Sequence, residues 1–244
     1  MPATPFASVY FDCDSTLTSI EGVDELLAEV PASLREDIAR MTREAMEGLR
    51  PLADVYEQRL AMLAPRRQFL EHVGALYVQR VTPDAREVID ALHFLGKRVG
   101  IVSGGIDVPV RMLARHLGIP LEHVHAVPLH FDATGNYQGF DHASLLWRNG
   151  GKALLVEALP KDHHPLCFVG DGATDLEVQG HCALFVGFGG VALRPVVQER
   201  AQRWIGSPTL APLLAHVLTD RELERLGAEP GFQLLLERAM RASA

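Results

Sequence analysis

Short apolar runs that alternate with helix-forming segments constrain this chain more than any other feature. Four runs are predicted to be buried strands, at residues 8–11, 98–103, 166–170 and 183–188. Helices are predicted at 82–95, where Thr82 and Pro83 resemble an N-cap and a first helical residue, and at 107–117, 151–159 and 174–179. Such alternation favours a parallel sheet with helices on both faces. We therefore expect an α/β fold built on a doubly wound parallel sheet.

Residues 20–79 interrupt this alternation with a sequence that predicts helices only, at 23–29, 33–48, 52–63 and 66–79. An all-helical insertion directly after the first strand predicts a cap over the carboxyl edge of the sheet. We expect an α/β core of residues 1–19 and 80–218 that would hold any active site, a helical cap of residues 20–79, and a C-terminal helical extension of residues 219–244. A turn at 132–136 predicts a hairpin between two short apolar runs.

Composition and charge exclude several classes of protein. The net charge is −8, and no cluster of basic residues suggests a nucleic-acid partner. No apolar run reaches the roughly 20 residues that span a bilayer, and the first 34 residues contain no Lys or Arg. Three cysteines without a Cys-x-x-Cys pair argue against a disulfide framework. We expect a cytoplasmic protein with no nucleic-acid or membrane partner, and either a monomer or a homodimer.

Polar residues follow the predicted strands where each strand ends. Because ligands bind beyond the carboxyl ends of parallel strands, these side chains are candidates for one common site. A lysine at the start of a predicted helix, after two glycines, is expected to join them. The candidate residues are Asp12, Asp14, Thr16, Ser103, Gly104, Lys152, Asp171 and Asp175.

The chemistry that such a set can perform is narrow. The carboxylates of Asp12, Asp14 and Asp171 suit Mg²⁺, while a lysine, a hydroxyl and glycine N–H groups suit a phosphoryl group. Together they predict phosphoryl transfer with Asp12 as the nucleophile. Asp14 would protonate the leaving alcohol and then deprotonate the water. Cys13 would point away from the site, because alternate strand residues face opposite sides.

Four segments resemble the motifs of the haloacid dehalogenase superfamily of phosphatases. They are Asp-Cys-Asp-Ser-Thr at 12–16, Ser-Gly-Gly at 103–105, Gly-Gly-Lys at 150–152 and Gly-Asp-Gly-Ala-Thr-Asp at 170–175. The resemblance covers roughly residues 8–218 and implies a phosphorylated Asp12. It also implies a Mg²⁺ site formed by Asp12, the Asp14 backbone carbonyl and Asp171, supported by Thr16 and Asp175. Ser103, Gly104 and Lys152 are implied to bind phosphate.

The resemblance is closer to the branch of the superfamily that hydrolyses phosphoserine. The matching segments are Glu-Gly-Val-Asp-Glu-Leu at 21–26, Met-Thr-Arg-Glu-Ala-Met-Glu-Gly at 41–48 and Phe-Val-Gly-Phe-Gly-Gly at 185–190. This branch implies that Glu21 binds the substrate ammonium group and Arg59 the carboxylate, and that Met46 and Thr174 line the pocket. One anion and one planar cation suit a zwitterion.

Alternatives remain at this stage. The same core could act on another small phosphomonoester, or transfer the phosphoryl group to an alcohol. A non-catalytic receiver-like domain also uses an aspartate, Mg²⁺, a hydroxyl and a lysine. The sequence departs from the family at Ile106 and Val127, which leaves the shape of the pocket open. His123, His125 and His130 could form a zinc site, although surface strand positions explain them better.

Overall fold

A computed structural model describes residues 2–28, 30–46 and 52–241, without the side chains of residues 42–46 and 52. Six parallel strands form the main sheet in the order β3-β2-β1-β6-β7-β8, and an antiparallel pair, β4-β5, stands apart. The strands are β1 (Ser8–Phe11), β2 (Arg98–Ile106), β3 (Val124–Val127), β4 (Leu129–Phe131), β5 (Tyr137–Phe140), β6 (Leu166–Gly170), β7 (Leu184–Phe188) and β8 (Arg203–Ile205).

Helices flank this sheet, and the expected α/β fold is confirmed. In chain order they are α1 (Gly22–Ala28), α2 (Ala32–Met46), α3 (Leu52–Leu63), α4 (Arg67–Gln79), α5 (Ala85–Phe94), α6 (Asp107–Leu117), α7 (Gly151–Glu157), α8 (Ala173–Leu176), α9 (Pro195–Arg200), α10 (Leu213–Val217), α11 (Asp220–Gly227) and α12 (Gln233–Arg241). The predicted helices 52–63 and 107–117 have these same bounds. The predicted end of the second insertion helix at residue 48 lies outside the described residues. Within the described ranges, no helix is both long enough and apolar enough to cross a membrane.

The central strand β1 is buried along its whole length between β2 and β6. Val9, Tyr10 and Phe11 have no exposed surface, which explains why the strand is an almost continuous apolar run. Two edge strands, β3 and β8, were not among the four predicted. They contain four and three residues, and His125 in β3 and Arg203 in β8 interrupt the apolar pattern, so their sequences carry a weak strand signal.

A short neck joins the helical insertion to the sheet. Thr18 and Val81 pair as an isolated antiparallel bridge, and the Thr82 N–H donates to the Leu17 carbonyl at 2.9 Å. This use of Thr82 corrects the expected start of the next helix. Helix α5 begins at Ala85 after Asp84, which has a left-handed backbone with φ of 65°. Thr82 therefore belongs to the neck and does not act as an N-cap.

The four helices of the insertion do not pack uniformly. Helix α4 lies directly on α6, and a Cβ added at Gly74 would come within 2.5 Å of the Met112 sulfur. Helices α2 and α3 contribute a separate apolar cluster that includes Ile38, Met41 and Val55. The insertion thus contains one helix packed on the sheet layer and a helix pair with a small core of its own. Tyr56 and Leu60 of α3 belong to the main core as well.

The C-terminal helices pack at the opposite edge of the sheet from the polar residues. Lys97 precedes β2, and its ammonium group donates to the Phe6 carbonyl at 3.0 Å and to Glu222 of α11 at 2.6 Å. Thr219 and Glu222 form a reciprocal capping box that starts α11. The helical prediction for the C-terminal segment is confirmed within the described residues.

Candidate active site

The strand ends bring the polar side chains to one edge of the sheet. Asp12 directly follows β1, Asp171 directly follows β6, and Ser103 lies within β2. The Asp12 N–H donates to the Val169 carbonyl at 2.8 Å, so the ladder between the two central strands continues to Asp12. A cavity of about 780 Å³ opens at this edge. Its lining includes Asp12, Asp14, Ser103, Gly104, Lys152 and Thr174 from the predicted set.

Lys152 links two buried carboxylates. Its Nζ lies 2.7 Å from Asp12 Oδ1 and 2.6 Å from Asp175 Oδ1. Burial alone lowers the pKa of this ammonium group, but Asp12 and Asp175 raise it overall, so the lysine stays charged. Burial and repulsion from Asp175 raise the pKa of Asp12 well above its usual value, although Lys152 opposes this. The site thus concentrates negative charge that one lysine does not fully balance.

Asp12, Asp171 and Asp175 form an acidic cluster. Each offers an oxygen, and these oxygens lie within 4.8 Å of one another. The Thr16 hydroxyl donates to Asp171 Oδ1 at 3.2 Å. Burial and repulsion from Asp175 raise the pKa of Asp171 to about 6. Oxygen ligands of this kind suit a hard divalent cation, so the residues fit Mg²⁺.

Two glycines allow Asp175 to reach this position. A Cβ at Gly170 would lie 2.4 Å from Asp175 Cγ, which no side chain would tolerate. The N–H of Gly172 donates to Asp175 Oδ2 at 2.8 Å and fixes its second oxygen. The glycine spacing of the 170–175 motif therefore has a steric reason.

The Asp14 carboxylate faces the helical insertion and lies outside the acidic cluster. Tyr77 of α4 donates its hydroxyl to Asp14 Oδ1 at 2.5 Å, and the Gly22 N–H donates to Oδ2 at 2.9 Å. Burial and the charge of Glu21 raise the Asp14 pKa to about 6, while these two hydrogen bonds lower it in part. A carboxyl with this pKa exchanges protons readily near neutral pH. Cys13, between the two aspartates, is fully buried and does not line the cavity.

Glu21 and Arg59, both in the insertion, line the same cavity as Asp12. Glu21 accepts a hydrogen bond from the Ser15 hydroxyl at 2.6 Å. The Arg59 guanidinium lies 6.0 Å from the centre of the Tyr56 ring, and burial lowers its pKa. Met46 ends helix α2, and its side chain lies outside the described residues.

Sequence reasoning missed two residues of the site, Tyr77 and Arg194. Tyr77 sits in an amphipathic helix, where the pattern predicts only a core residue. Arg194 precedes α9, and its Nε donates to Asp171 Oδ2 at 2.8 Å. Its place shortly after the Gly-Gly that ends the fourth apolar run was a signal that could have indicated it.

The positions that depart from the family pattern lie side by side. Ile106 and Val127 pair between β2 and β3, Val127 is fully buried, and Ile106 lines the cavity.

The histidines named as a zinc alternative lie elsewhere. His123 packs edge-on against His163, whose Nδ1 is 2.8 Å from the Tyr10 hydroxyl. Over the described ranges, the acidic cluster alone brings three metal-ligating side chains together.

Known proteins with similar sequences and folds identify the family of this chain. Residues 9–178 match the family model for haloacid dehalogenase-like hydrolases. Phosphoserine phosphatase of Bos taurus is 35% identical over 200 residues, covering 81% of this chain and 88% of that protein. The Drosophila melanogaster phosphoserine phosphatase is 36% identical, with 81% and 73% covered. A substrate-bound phosphoserine phosphatase structure has a TM-score of 0.72 at 25% identity and covers 88% of this chain and all of that one.

The chain therefore belongs to the haloacid dehalogenase-like hydrolase family, and it is an enzyme. Within that family it groups with the phosphoserine phosphatases. This assignment contradicts the receiver-like alternative, because the relatives are hydrolases and the insertion of helices follows β1.

Proposed function

We propose that this chain hydrolyses O-phospho-L-serine to L-serine and inorganic phosphate through a phosphoaspartate at Asp12. The observation that carries the proposal is the shared cavity. It holds a buried lysine–carboxylate cluster on the sheet side, and Glu21 and Arg59 on the side of the insertion. The first set suits a phosphoryl group and the second suits an amino acid.

Asp12 is the proposed nucleophile. One of its oxygens forms a bond to phosphorus while the bond from phosphorus to the serine oxygen breaks, and Asp14 gives its proton to that oxygen. Asp14 then takes a proton from water, whose oxygen attacks phosphorus and breaks the bond to Asp12. The Asp14 pKa of about 6 supports both roles, since each protonation state is accessible near neutral pH.

Lys152, Ser103 and Gly104 are the proposed phosphate ligands. Lys152 sits on Asp12 itself, so its charge is already in place where the phosphate would arrive. The Gly105 N–H donates to the Ser103 oxygen at 3.0 Å, which leaves the hydroxyl hydrogen for a ligand. These groups orient the phosphate for attack.

We propose that Asp12, the Asp14 backbone carbonyl and Asp171 would hold Mg²⁺, with Thr16 and Asp175 as supporting residues. The buried oxygen donors and their incompletely balanced charge support this assignment. Bound Mg²⁺ would supply positive charge that offsets repulsion between Asp12 and the phosphate.

Substrate selection is proposed to come from the insertion. Glu21 would bind the ammonium group and Arg59 the carboxylate, and Met46 and Thr174 would line the pocket. We propose residues 20–79 as a cap on a core of residues 1–19 and 80–218, with residues 219–244 as an extension. Because the described side chains of α2 pack in the small core and not in the main one, α2 would open and close most easily. The cytoplasmic location and the absence of nucleic-acid partners stay predictions.

The test is phosphate release from O-phospho-L-serine beside a panel of other phosphomonoesters, with Mg²⁺ and with EDTA. We expect Mg²⁺-dependent turnover that is fastest for phosphoserine. Turnover that favours another compound, or transfer to an alcohol, would overturn the substrate and keep the roles of Asp12 and Asp14.

A further inference from the structure

One arginine bridges two carboxylates that have separate tasks in the proposed function. Arg194 Nε lies 2.8 Å from Asp171 Oδ2, and its Nη2 lies 3.3 Å from Glu21 Oε1. Asp171 is a proposed Mg²⁺ ligand, and Glu21 is the proposed partner of the substrate ammonium group. A single guanidinium therefore contacts one oxygen of each of two carboxylates that are proposed to bind different cations.

We infer that Arg194 is a displaceable counter-ion that couples the metal subsite to the ammonium subsite. It balances the charge of Asp171 and Glu21 until Mg²⁺ and the substrate ammonium group bind, and these cations compete with it for the two carboxylates. The inference rests on the proposed function, since that function gives the two carboxylates their cationic partners.

The surroundings of Arg194 allow such a displacement. The Arg194 side chain is 36% exposed and the Glu21 side chain is 39% exposed, whereas the Asp171 side chain is almost fully buried. The contact with Glu21 is therefore open to solvent and easily exchanged. The contact with Asp171 covers a buried carboxylate, whose charge bound Mg²⁺ would balance in place of Arg194. Leu193, the preceding residue, is 66% exposed, which leaves solvent beside the arginine.

Coupling follows from the shared guanidinium. When Mg²⁺ displaces Arg194 from Asp171, the contact with Glu21 is weakened, and the ammonium group of a ligand meets less competition. Mg²⁺ and an amine ligand should then strengthen each other's binding, and by the same factor in both directions. If Arg194 instead held Asp171 in place for the metal, removing Arg194 would weaken Mg²⁺ binding. Our inference expects removal of Arg194 to strengthen it.

Calorimetric titration of Mg²⁺ alone into the ligand-free protein separates these two roles. We expect Arg194→Gln to bind Mg²⁺ about tenfold more tightly than the wild type. Arg194→Lys keeps the charge but cannot bridge two carboxylates, so its affinity should lie between the two. Arg148→Gln, which removes another arginine that lines the cavity, should leave Mg²⁺ affinity unchanged. Equal or weaker binding by Arg194→Gln, or an equal gain in Arg148→Gln, overturns the inference.

L-Serine tests the coupling, because it carries the ammonium group but no phosphate that could touch the metal. Mg²⁺ should strengthen L-serine binding to the wild type about fivefold or more, and should leave binding to Arg194→Gln nearly unchanged. A wild-type protein that hydrolyses phosphoserine but binds L-serine equally with and without Mg²⁺ overturns this inference alone. A protein that neither hydrolyses phosphoserine nor binds L-serine overturns the proposed function and the ammonium half of the inference. The Mg²⁺ titrations then still decide the other half.

Discussion

The sheet edge and the helical insertion contribute to one cavity in different ways. At the sheet edge, Asp12, Lys152 and Asp175 are buried and joined by contacts of 2.6–2.7 Å. On the side of the insertion, Glu21 is 39% exposed and Arg59 is partly buried on a helix. The first set is held by the strands of the main core. Helix α3, which carries Arg59, packs partly on that core and partly in a small cluster shared with α2.

This difference separates chemistry from recognition. Groups that must meet a reacting atom are placed by rigid strands, because small errors in position are costly there. The groups that we propose to select the substrate lie on the insertion, which would have to move to admit the substrate and then exclude water. Changes at the sheet edge should therefore affect every substrate, and changes at Glu21 or Arg59 should affect phosphoserine alone.

The largest expected effect is at the sheet edge. Asp12→Asn should reduce phosphate release by about 10⁴-fold or more for all phosphomonoesters, since an amide does not form the acyl phosphate. Asp24→Asn, which removes another carboxylate of the cavity lining, should lose less than about threefold. Circular dichroism would check that both variants are folded. Near-normal turnover by Asp12→Asn would end its assignment as nucleophile.

The insertion should show selectivity instead. Arg59→Ala should lower kcat/KM for phosphoserine by about 10²–10³-fold, because a charge-assisted contact with the carboxylate is lost. Hydrolysis of p-nitrophenyl phosphate, which has no carboxylate, should change less than about threefold. Arg66→Ala, at an exposed position before α4, is the matched control and should affect neither substrate. Equal losses on both substrates would remove the distinction between the two regions.

Tyr77 connects the two regions, because it lies in the insertion and binds Asp14. Its hydrogen bond stabilises the carboxylate and lowers the Asp14 pKa. Tyr77→Phe should raise that pKa further above 6, keep the acid protonated to higher pH, and shift the alkaline limb of kcat/KM upward. Turnover at neutral pH should fall about tenfold, because the carboxylate loses one orienting contact. Tyr10→Phe, a buried tyrosine outside the cavity lining, should leave the profile in place. An unmoved limb in Tyr77→Phe would show that another group controls it.

Strands, helix bounds and the residues that follow each strand could be predicted from short stretches of sequence. An apolar run followed by Asp, as at Asp12 and Asp171, indicates both a buried strand and the edge at which it ends. The α/β fold and the bounds of α3 and α6 followed from such patterns. The placement of Lys152 also followed, because a Gly-Gly pair opens its helix.

Features that depend on tertiary contacts were not predictable in this way. Arg194 meets Asp171 and Glu21 across 23 and 173 positions of sequence, and no local pattern encodes such a meeting. Tyr77 follows the apolar period of α4 and acquires a polar role only because Asp14 lies opposite. Thr82 has the residue type of an N-cap, but the neck uses its backbone instead. The roles of the site residues stay predictions until the variants are measured.

The smallest effect on activity is expected at the amino edge of the sheet, where stability should change without the chemistry. Glu222→Gln leaves the Lys97 ammonium group, only 3% exposed, without its anion, and should destabilise the fold by about 2–3 kcal/mol. Burial alone would raise the Glu222 pKa, but hydrogen bonds from Lys97 and Thr219 lower it below its ordinary 4.5. The ion pair between Glu222 and Lys97 therefore stabilises the fold fully at pH values above 4.5, the ordinary Glu pKa. This stabilisation is lost as the pH falls through the lowered pKa of Glu222 in the folded protein. Urea unfolding should show that the free energy of unfolding falls less in acid for the variant than for the wild type, and kcat should be unchanged.

The control is Asp90→Asn, which breaks an exposed pair with Arg86 and should cost less than about 0.5 kcal/mol. A large loss of kcat in folded Glu222→Gln would mean that the two edges of the sheet are coupled.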